Sequence, residues 1–102
     1  MKSDLKVECH KDSAGNPAGG HAIGIGMHIL FQHGPIVDGV PNGAQVEDII
    51  NVAIKRLEFF QDSKFKCIEN QEALLHLDLA LRELNSRTEN RKARGVEGTH
   101  EV

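Results

Sequence analysis

The chain has 102 residues and a formal net charge of −3, and its composition is 39% hydrophobic and 26% charged. These values are typical of one small soluble globular domain and argue against a disordered chain. The acidic balance excludes a general affinity for nucleic acid or an anionic membrane, so any anion site must be local. No apolar run reaches the roughly 18 residues of a membrane-spanning helix, and the polar residues 1–6 do not form a signal peptide.

The first third of the sequence predicts two β-strands. Residues 5–10 alternate between apolar and polar side chains, as a half-buried strand does. After a stretch rich in turn residues, alternation resumes over 23–32 and places these side chains on one face: Ile23, Ile25, Met27, Ile29 and Phe31. We therefore expect an antiparallel β-hairpin over residues 1–33. Gly24 and Gly26 would leave its outward face bare enough for close approach of another backbone, such as a second subunit.

The second half of the sequence predicts two helices. Apolar residues recur at three- and four-residue steps from Gln45 to about Phe60, and a second, longer helix runs from Glu69 or Asn70 to about Ala93. A stripe continues along the second helix through Leu74, Leu77, Leu81, Leu84, Thr88 and Arg91. The short joint between the helices favours an antiparallel αα-hairpin, and Gly95 is placed to end it.

The predicted fold class is therefore α+β, with the N-terminal β-hairpin packed on the C-terminal αα-hairpin in a single domain, 1–102, that forms oligomers. Within it we assign residues 34–44 to a connection, 45–94 to the helical hairpin and 95–102 to a tail. The scarcity of aromatic residues favours a small aliphatic core that self-association would extend.

The end of the second helix carries a local excess of positive charge in this acidic chain. Arg87 and Arg91 are one helical turn apart, so their guanidinium groups project from one face. Arginine binds phosphate oxygens bidentately and stacks on rings, so the pair is a candidate phosphate site. A basic last turn also complements the helix dipole in proteins that bind nothing, and spacing alone favours that explanation. The continuation of the leucine stripe into the arginines favours the site.

Four further residues are candidates, each with a simpler alternative. Phe60 is either a core side chain or a platform on which a base stacks. Asn70 is either the N-cap of the second helix or an amide that reads a base edge. Thr99 and His100 would add donors in a glycine-containing tail, or belong to a frayed end.

The sequence predicts no catalytic residue, no metal site and no cofactor. The six histidines lack the spacing of a zinc enzyme, and His21 and His28, seven residues apart, would fall on opposite strand faces. Cys9 and Cys67 fit neither a disulfide framework nor a zinc pattern, which favours a reduced cytosolic setting. No serine or cysteine lies in a nucleophile motif.

Several stretches of the sequence resemble one known family. They are residues 31–36 (FQHGPI), 42–48 (NGAQVED), 56–61 (RLEFFQ), 65–70 (FKCIEN) and 87–100 (RTENRKARGVEGTH). Together they resemble the Thoeris anti-defence proteins of the first type, whose helical hairpin is shared with the second anti-CBASS protein. The similarity runs from about Ile29 to the end of the sequence, and its closing motif is the most specific part.

The resemblance implies a phage protein that acts in the cytoplasm of the infected bacterial host and is not an enzyme. It would bind and sequester cyclic nucleotide immune signals, either cyclic ADP-ribose isomers or cyclic oligonucleotides, without cleaving them, and so inhibit Thoeris or CBASS immunity. The ligand would lie between subunits of a dimer, and dimers would associate as a trimer of dimers into a hexamer.

By position, the resemblance implies that Phe60 stacks on the base, Asn70 hydrogen-bonds it, and Arg87 and Arg91 bind phosphates. The chain departs from the family pattern at Ile68, where an arginine is common, which affects any contact that depends on that arginine. Two other classes of function remain: an enzyme that hydrolyses such nucleotides, and a ligand-free protein-interaction adaptor.

Overall fold

A computed structural model of the chain describes residues 4–95 and confirms the α+β class. The described residues form a three-stranded sheet followed by two helices. They divide into two compact units, one ending at Gln45 and the other spanning Val46–Gly95. The elements in chain order are β1 (Lys6–Lys11), β2 (Pro17–Gly24), β3 (Met27–Leu30), α1 (Val46–Gln61) and α2 (Ile68–Ala93).

The sheet is antiparallel in the order β1-β2-β3, and its third strand was not predicted. The stretch expected to form one strand over 23–32 folds back on itself, because Gly24 pairs with Met27 and leaves Ile25 and Gly26 as a two-residue turn. Gly26 has a φ of 71°, a conformation that glycine adopts without steric cost. Apolar residues alternate straight through this turn, so their period did not reveal it.

The turn changes which side chains share a face. Ile23 pairs with His28, whereas Ile29 pairs with Ala22, the residue next to Ile23 on β2. Since successive residues of a strand point to opposite faces, Ile23 and Ile29 lie on opposite sides, and the prediction of a single apolar face was wrong. Ile25 lies in the turn and is 92% exposed.

The expectation that Gly24 and Gly26 leave a bare face for another backbone was also wrong. A Cβ on Gly24 would lie 3.5 Å from the backbone and side chain of Leu5 in the same chain. Gly26 belongs to the turn rather than to a strand face.

Side-chain amides close the connection after β3. The Oδ1 of Asn42 accepts from the backbone N–H of His33 at 2.8 Å, and its Nδ2 donates to the His33 carbonyl at 2.8 Å. The backbone N–H of Asn42 donates to the side-chain oxygen of Gln32 at 2.9 Å. A Cβ on Gly43 would lie 2.6 Å from the backbone of Phe31, so only glycine fits there. The sequence motifs Phe31-Gln32 and Asn42-Gly43 thus stabilise the conformation of this loop.

The two helices form the predicted antiparallel hairpin. Gln61, at the end of α1, holds the turn: its amide accepts from the backbone N–H of Cys67 at 3.0 Å and donates to the Cys67 carbonyl at 3.1 Å. At the other end, Glu47 of α1 approaches Arg87 of α2. The less exposed side chains of both helices follow helical spacing and include Ile49, Ile50, Ala53, Leu57, Leu74, Leu77, Leu81 and Leu84. Gly95 takes the left-handed conformation with a φ of 75°, as expected for the residue that ends α2.

The single chain buries little of its apolar surface. Among residues 4–95, Ala22 is the one buried hydrophobic residue, at 6% exposure. On α1 and α2 the exposed large hydrophobic residues include Val46, Val52, Phe59, Ile68, Leu75 and Leu79. Apolar surface of this extent is typical of chains that bury it against a partner. Within the described residues, neither helix is long and apolar enough to span a membrane.

Candidate functional site

The helical hairpin carries four of the six predicted ligand residues, and the structure places them in two groups. Phe60 and Asn70 lie beside the turn that joins the helices, whereas Arg87 and Arg91 lie near the open end. Thr99 and His100 fall outside the described residues. We refer below to the turn end and the open end of the hairpin.

Phe60 is half-buried at the turn end and belongs to an aromatic and cationic cluster. Its ring contacts that of Phe59 edge to face, with centroids 6.0 Å apart. The guanidinium of Arg56 lies 4.8 Å from the centroid of Phe60 and 5.2 Å from that of Phe59. The half-buried state of Phe60 fits both the core and the stacking interpretations, whereas Phe59 is 62% exposed. Sequence analysis missed Arg56, although its spacing of three and four residues from the phenylalanines is the signal for such contacts.

Asn70 is not the N-cap of α2. The helix begins at Ile68, and Cys67 occupies the cap position with an extended backbone and no side-chain cap hydrogen bond. Asn70 is therefore the third residue of the helix and is half-buried. Its proposed contact with a base stays a prediction. Ile68, the departure from the family pattern, is 69% exposed at the start of the helix.

The two arginines of the open end differ in their surroundings. Arg91 is half-buried and continues the leucine stripe, as predicted. Arg87 does not, because the stripe passes from Leu84 to Thr88 and leaves the Arg87 side chain 55% exposed. Its Nη2 lies 3.4 and 3.5 Å from the two carboxylate oxygens of Glu47, which is long for a charged hydrogen bond.

Glu47 is a part of this end that sequence analysis missed as a site residue. Its carboxylate is 18% exposed and lies in the first turn of α1, where the helix dipole favours negative charge. Both of its carboxylate oxygens lie near the Nη2 of Arg87. An incoming phosphate would have to displace this weak contact or share the guanidinium with it.

The two ends of the hairpin are too far apart to form one site in a single chain. At 1.5 Å per residue, Asn70 and Arg87 are separated by about 25 Å along α2. Phe60 lies beside Asn70 at the turn end, so it is equally remote from the arginines. One chain therefore carries two separate groups of candidate residues, which we call half-sites: an aromatic and amide group, and a basic group.

The sheet holds a separate group of side chains that could bind a metal. Glu8, His10 and His21 each place one ligand atom within 4.8 Å of the other two. The expectation that His21 and His28 face opposite ways was wrong. His28 pairs with Ile23, which lies two residues from His21 on β2, so both histidines are on one face.

Comparison with known proteins identifies the helical hairpin. Residues 24–89 match the family model described as Acb2/Tad1, hairpin domain. The protein Thoeris anti-defense 1 of Bacillus phage SBSphiJ7 is 51% identical over 73 residues, which cover 72% of this chain and 51% of that relative. The chain thus spans about half the length of the relative. The family match extends from the last residue of β2 to Glu89 and includes Phe60, Asn70 and Arg87. The chain therefore belongs to the Acb2/Tad1 hairpin-domain family.

Proposed function

We propose that this protein inhibits bacterial Thoeris or CBASS immunity by binding and sequestering cyclic nucleotide signals without cleaving them. The ligands are cyclic ADP-ribose isomers, cyclic oligonucleotides or both. The observation that carries the proposal is the family relationship over the helices on which the candidate ligand residues lie. The relative from the Bacillus phage bears an anti-defence name, which supports the same role here in the cytoplasm of an infected host.

The chemistry of the open end supports a phosphate site. The Arg87 side chain is more than half exposed, and among the described residues its contacts to Glu47 are long, so its donors can be redirected to a phosphate. Arg91 lies one turn further along the same helix. A protein that sequesters a ligand needs tight binding rather than turnover. Charged donors on each phosphate provide that affinity, because burying an anion without a partner costs free energy.

The distance between the half-sites leads us to a pocket shared by two chains. If two hairpins associate with their α2 helices antiparallel, the turn end of one chain meets the open end of the other. Phe60 and Asn70 of one protomer would then contact the base, and Arg87 and Arg91 of its partner would bind the phosphate. A two-fold dimer of this kind has two equivalent pockets.

Exposed apolar side chains on the helices supply a surface for that association. Val52 and Phe59 of α1 are 70% and 62% exposed, and Leu75 and Leu79 of α2 are 51% and 48% exposed. We propose that such surfaces join chains into dimers and that dimers associate as a trimer of dimers into a hexamer. Sedimentation analysis would measure both steps.

The shared pocket can be tested by mixing two defective chains. Phe60→Ala and Arg91→Ala should each abolish binding of a cyclic nucleotide in calorimetry. When the two variants are unfolded together and refolded at equal concentration, random pairing gives heterodimers with one intact pocket each. About a quarter of all pockets should then bind ligand with the parent affinity.

The outcomes of this mixing experiment are distinct. Recovery of that fraction supports a pocket made from two chains. No recovery, with both variants folded, would overturn the shared pocket, and normal binding by Phe60→Ala alone would remove Phe60 from the site. Arg82→Ala is a matched control, because Arg82 pairs with Asp78 on the exposed side of α2 and should not affect binding.

The ligand recovered from the protein decides between the other classes of function. A sponge releases the signal intact after denaturation, whereas a hydrolytic enzyme would release a cleaved product. An adaptor that binds no ligand would show no rise in melting temperature with any member of a panel of cyclic nucleotides.

A further inference from the structure

Three side chains that can bind a transition metal converge on one face of the sheet, outside the helical hairpin. The Oε2 of Glu8 lies 3.4 Å from the Nε2 of His21 and 3.5 Å from the Nε2 of His10. The two imidazole rings meet edge to face, with centroids 5.9 Å apart. One ligand atom from each residue lies within 4.8 Å of the other two.

The strand pairing brings these residues together. Glu8 and His21 are direct partners across the β1–β2 ladder, so their side chains leave the same face at neighbouring positions. His10 is two residues beyond Glu8 and shares that face. The register shifts between Cys9 and Lys11, and a bulge of this kind re-aims the side chain within it. No linear sequence motif identifies this group, because its members come from two strands.

We propose that Glu8, His10 and His21 bind a divalent ion of the zinc class. Bonds of about 2.0–2.2 Å in a tetrahedral zinc site place neighbouring ligand atoms about 3.3–3.6 Å apart. The separations of 3.4 and 3.5 Å between the carboxylate and the two imidazoles lie in that range. Two imidazoles and one carboxylate are a donor set that zinc accepts, with a fourth position left for water.

The exposure of the ligands fits a site that takes its ion from solution. The side chains of Glu8 and His10 are 63% and 53% exposed, and that of His21 is 30% exposed. The half-buried His21 provides a fixed ligand on the central strand, and the two exposed ligands of the edge strand can close on the ion. Bound zinc would then link β1 to β2 and raise the melting temperature of the sheet, since it binds the folded ladder.

The experiment uses the untagged full chain, stripped of metal with a chelator and titrated with Zn²⁺ in a calorimeter. We expect one ion per chain. His10→Ala and His21→Ala should each weaken binding at least about tenfold, since each removes one of three protein ligands. His28→Ala is the matched control, because His28 lies on the same face but outside the group. It should bind as the parent does.

A second variant keeps the test decisive if loss of His21 disturbs the sheet. Glu8→Gln retains the shape of a side chain that is 63% exposed, so it should leave the circular dichroism spectrum unchanged. It should weaken Zn²⁺ binding at least about tenfold. With Co²⁺ as a probe, its visible absorption should differ from that of the parent. The proposal is overturned if His28→Ala weakens binding as much as His10→Ala, or if the parent binds no tighter than the His10→Ala/His21→Ala double variant. Neither result bears on nucleotide binding by the helices.

Discussion

The loop after β3 makes a quantitative prediction about Asn42. Its side-chain amide makes two hydrogen bonds of 2.8 Å to the backbone of His33, one as acceptor and one as donor. A net contribution of about 0.5–1.5 kcal/mol for each bond gives about 1–3 kcal/mol for the pair. Because Asn42 is exposed, water can replace part of each bond, and we expect Asn42→Ala to cost about 1–2 kcal/mol.

The assay combines urea unfolding with amide exchange at His33. A loss of 1.4 kcal/mol in local stability corresponds to roughly tenfold faster exchange of the His33 N–H. Asn42→Asp is the matched variant, since it keeps an oxygen that accepts from this N–H but lacks the donor to the His33 carbonyl. It should retain more of the protection of the His33 amide than Asn42→Ala does.

Asn85→Ala controls for the loss of an amide elsewhere. Asn85 is exposed on α2, where alanine is the better helix former, so this change should not lower the free energy of unfolding. Asn42→Ala is compared with the parent in both the urea midpoint and the exchange rate of the His33 amide. If neither value changes, the two hydrogen bonds between the Asn42 side chain and the His33 backbone do not stabilise the loop. The NG motif would then need another explanation, such as contact with a ligand.

Two further predictions concern the ends of the helical hairpin. Gln61→Ala should lower the free energy of unfolding by about 1–2 kcal/mol in urea titrations, because it removes both hydrogen bonds to the Cys67 backbone. An unchanged urea midpoint would show that the turn is stable without these hydrogen bonds. Glu47→Gln should raise the affinity for an anionic cyclic nucleotide two- to fivefold by calorimetry, about 0.4–1 kcal/mol, because it removes the charge of the long ion pair that holds Arg87. Weaker binding by this variant would instead mean that Glu47 positions the arginine.

The helical half of the fold was predictable because its signal is long. Helices of 16 and 26 residues give several turns of apolar periodicity, and Gly95 marks the end of the second. The start of α2 was less certain, since Asn70 is a better capping residue by type than Cys67. The structure places the cap at Cys67, where the Gln61 side chain rather than a local cap binds the backbone.

The sheet was harder to predict because a two-residue turn does not interrupt alternation. Ile23, Ile25 and Met27 keep the period of two through the turn, so the pattern suits one long strand as well as two short ones. Gly26 was the available signal, since a two-residue turn commonly needs a positive φ. The error carried over to the predicted faces of His21 and His28.

The sequence proposes which residues form the candidate site, but it does not predict their geometry. Helical spacing identified Arg87 and Arg91 as neighbours, yet it could not show that Arg87 lies beside the stripe and contacts Glu47. That contact joins the first turn of α1 to the sixth turn of α2, a pairing that depends on how the hairpin closes. The motif residues Gln32 and Asn42 likewise have side-chain roles that only the folded loop reveals.

The unequal lengths of the helices have a consequence for ligand release. Since Glu47, near the start of α1, is level with Arg87, the last residues of α2 run past the end of the shorter helix. A helix end without a neighbouring helix frays more readily than one that is packed along its length. A phosphate held by Arg91 would stabilise that end on binding and would leave when it frays. We therefore expect the residence time of the ligand to follow the winding and unwinding of these final turns, which lengthening α1 by one turn would slow.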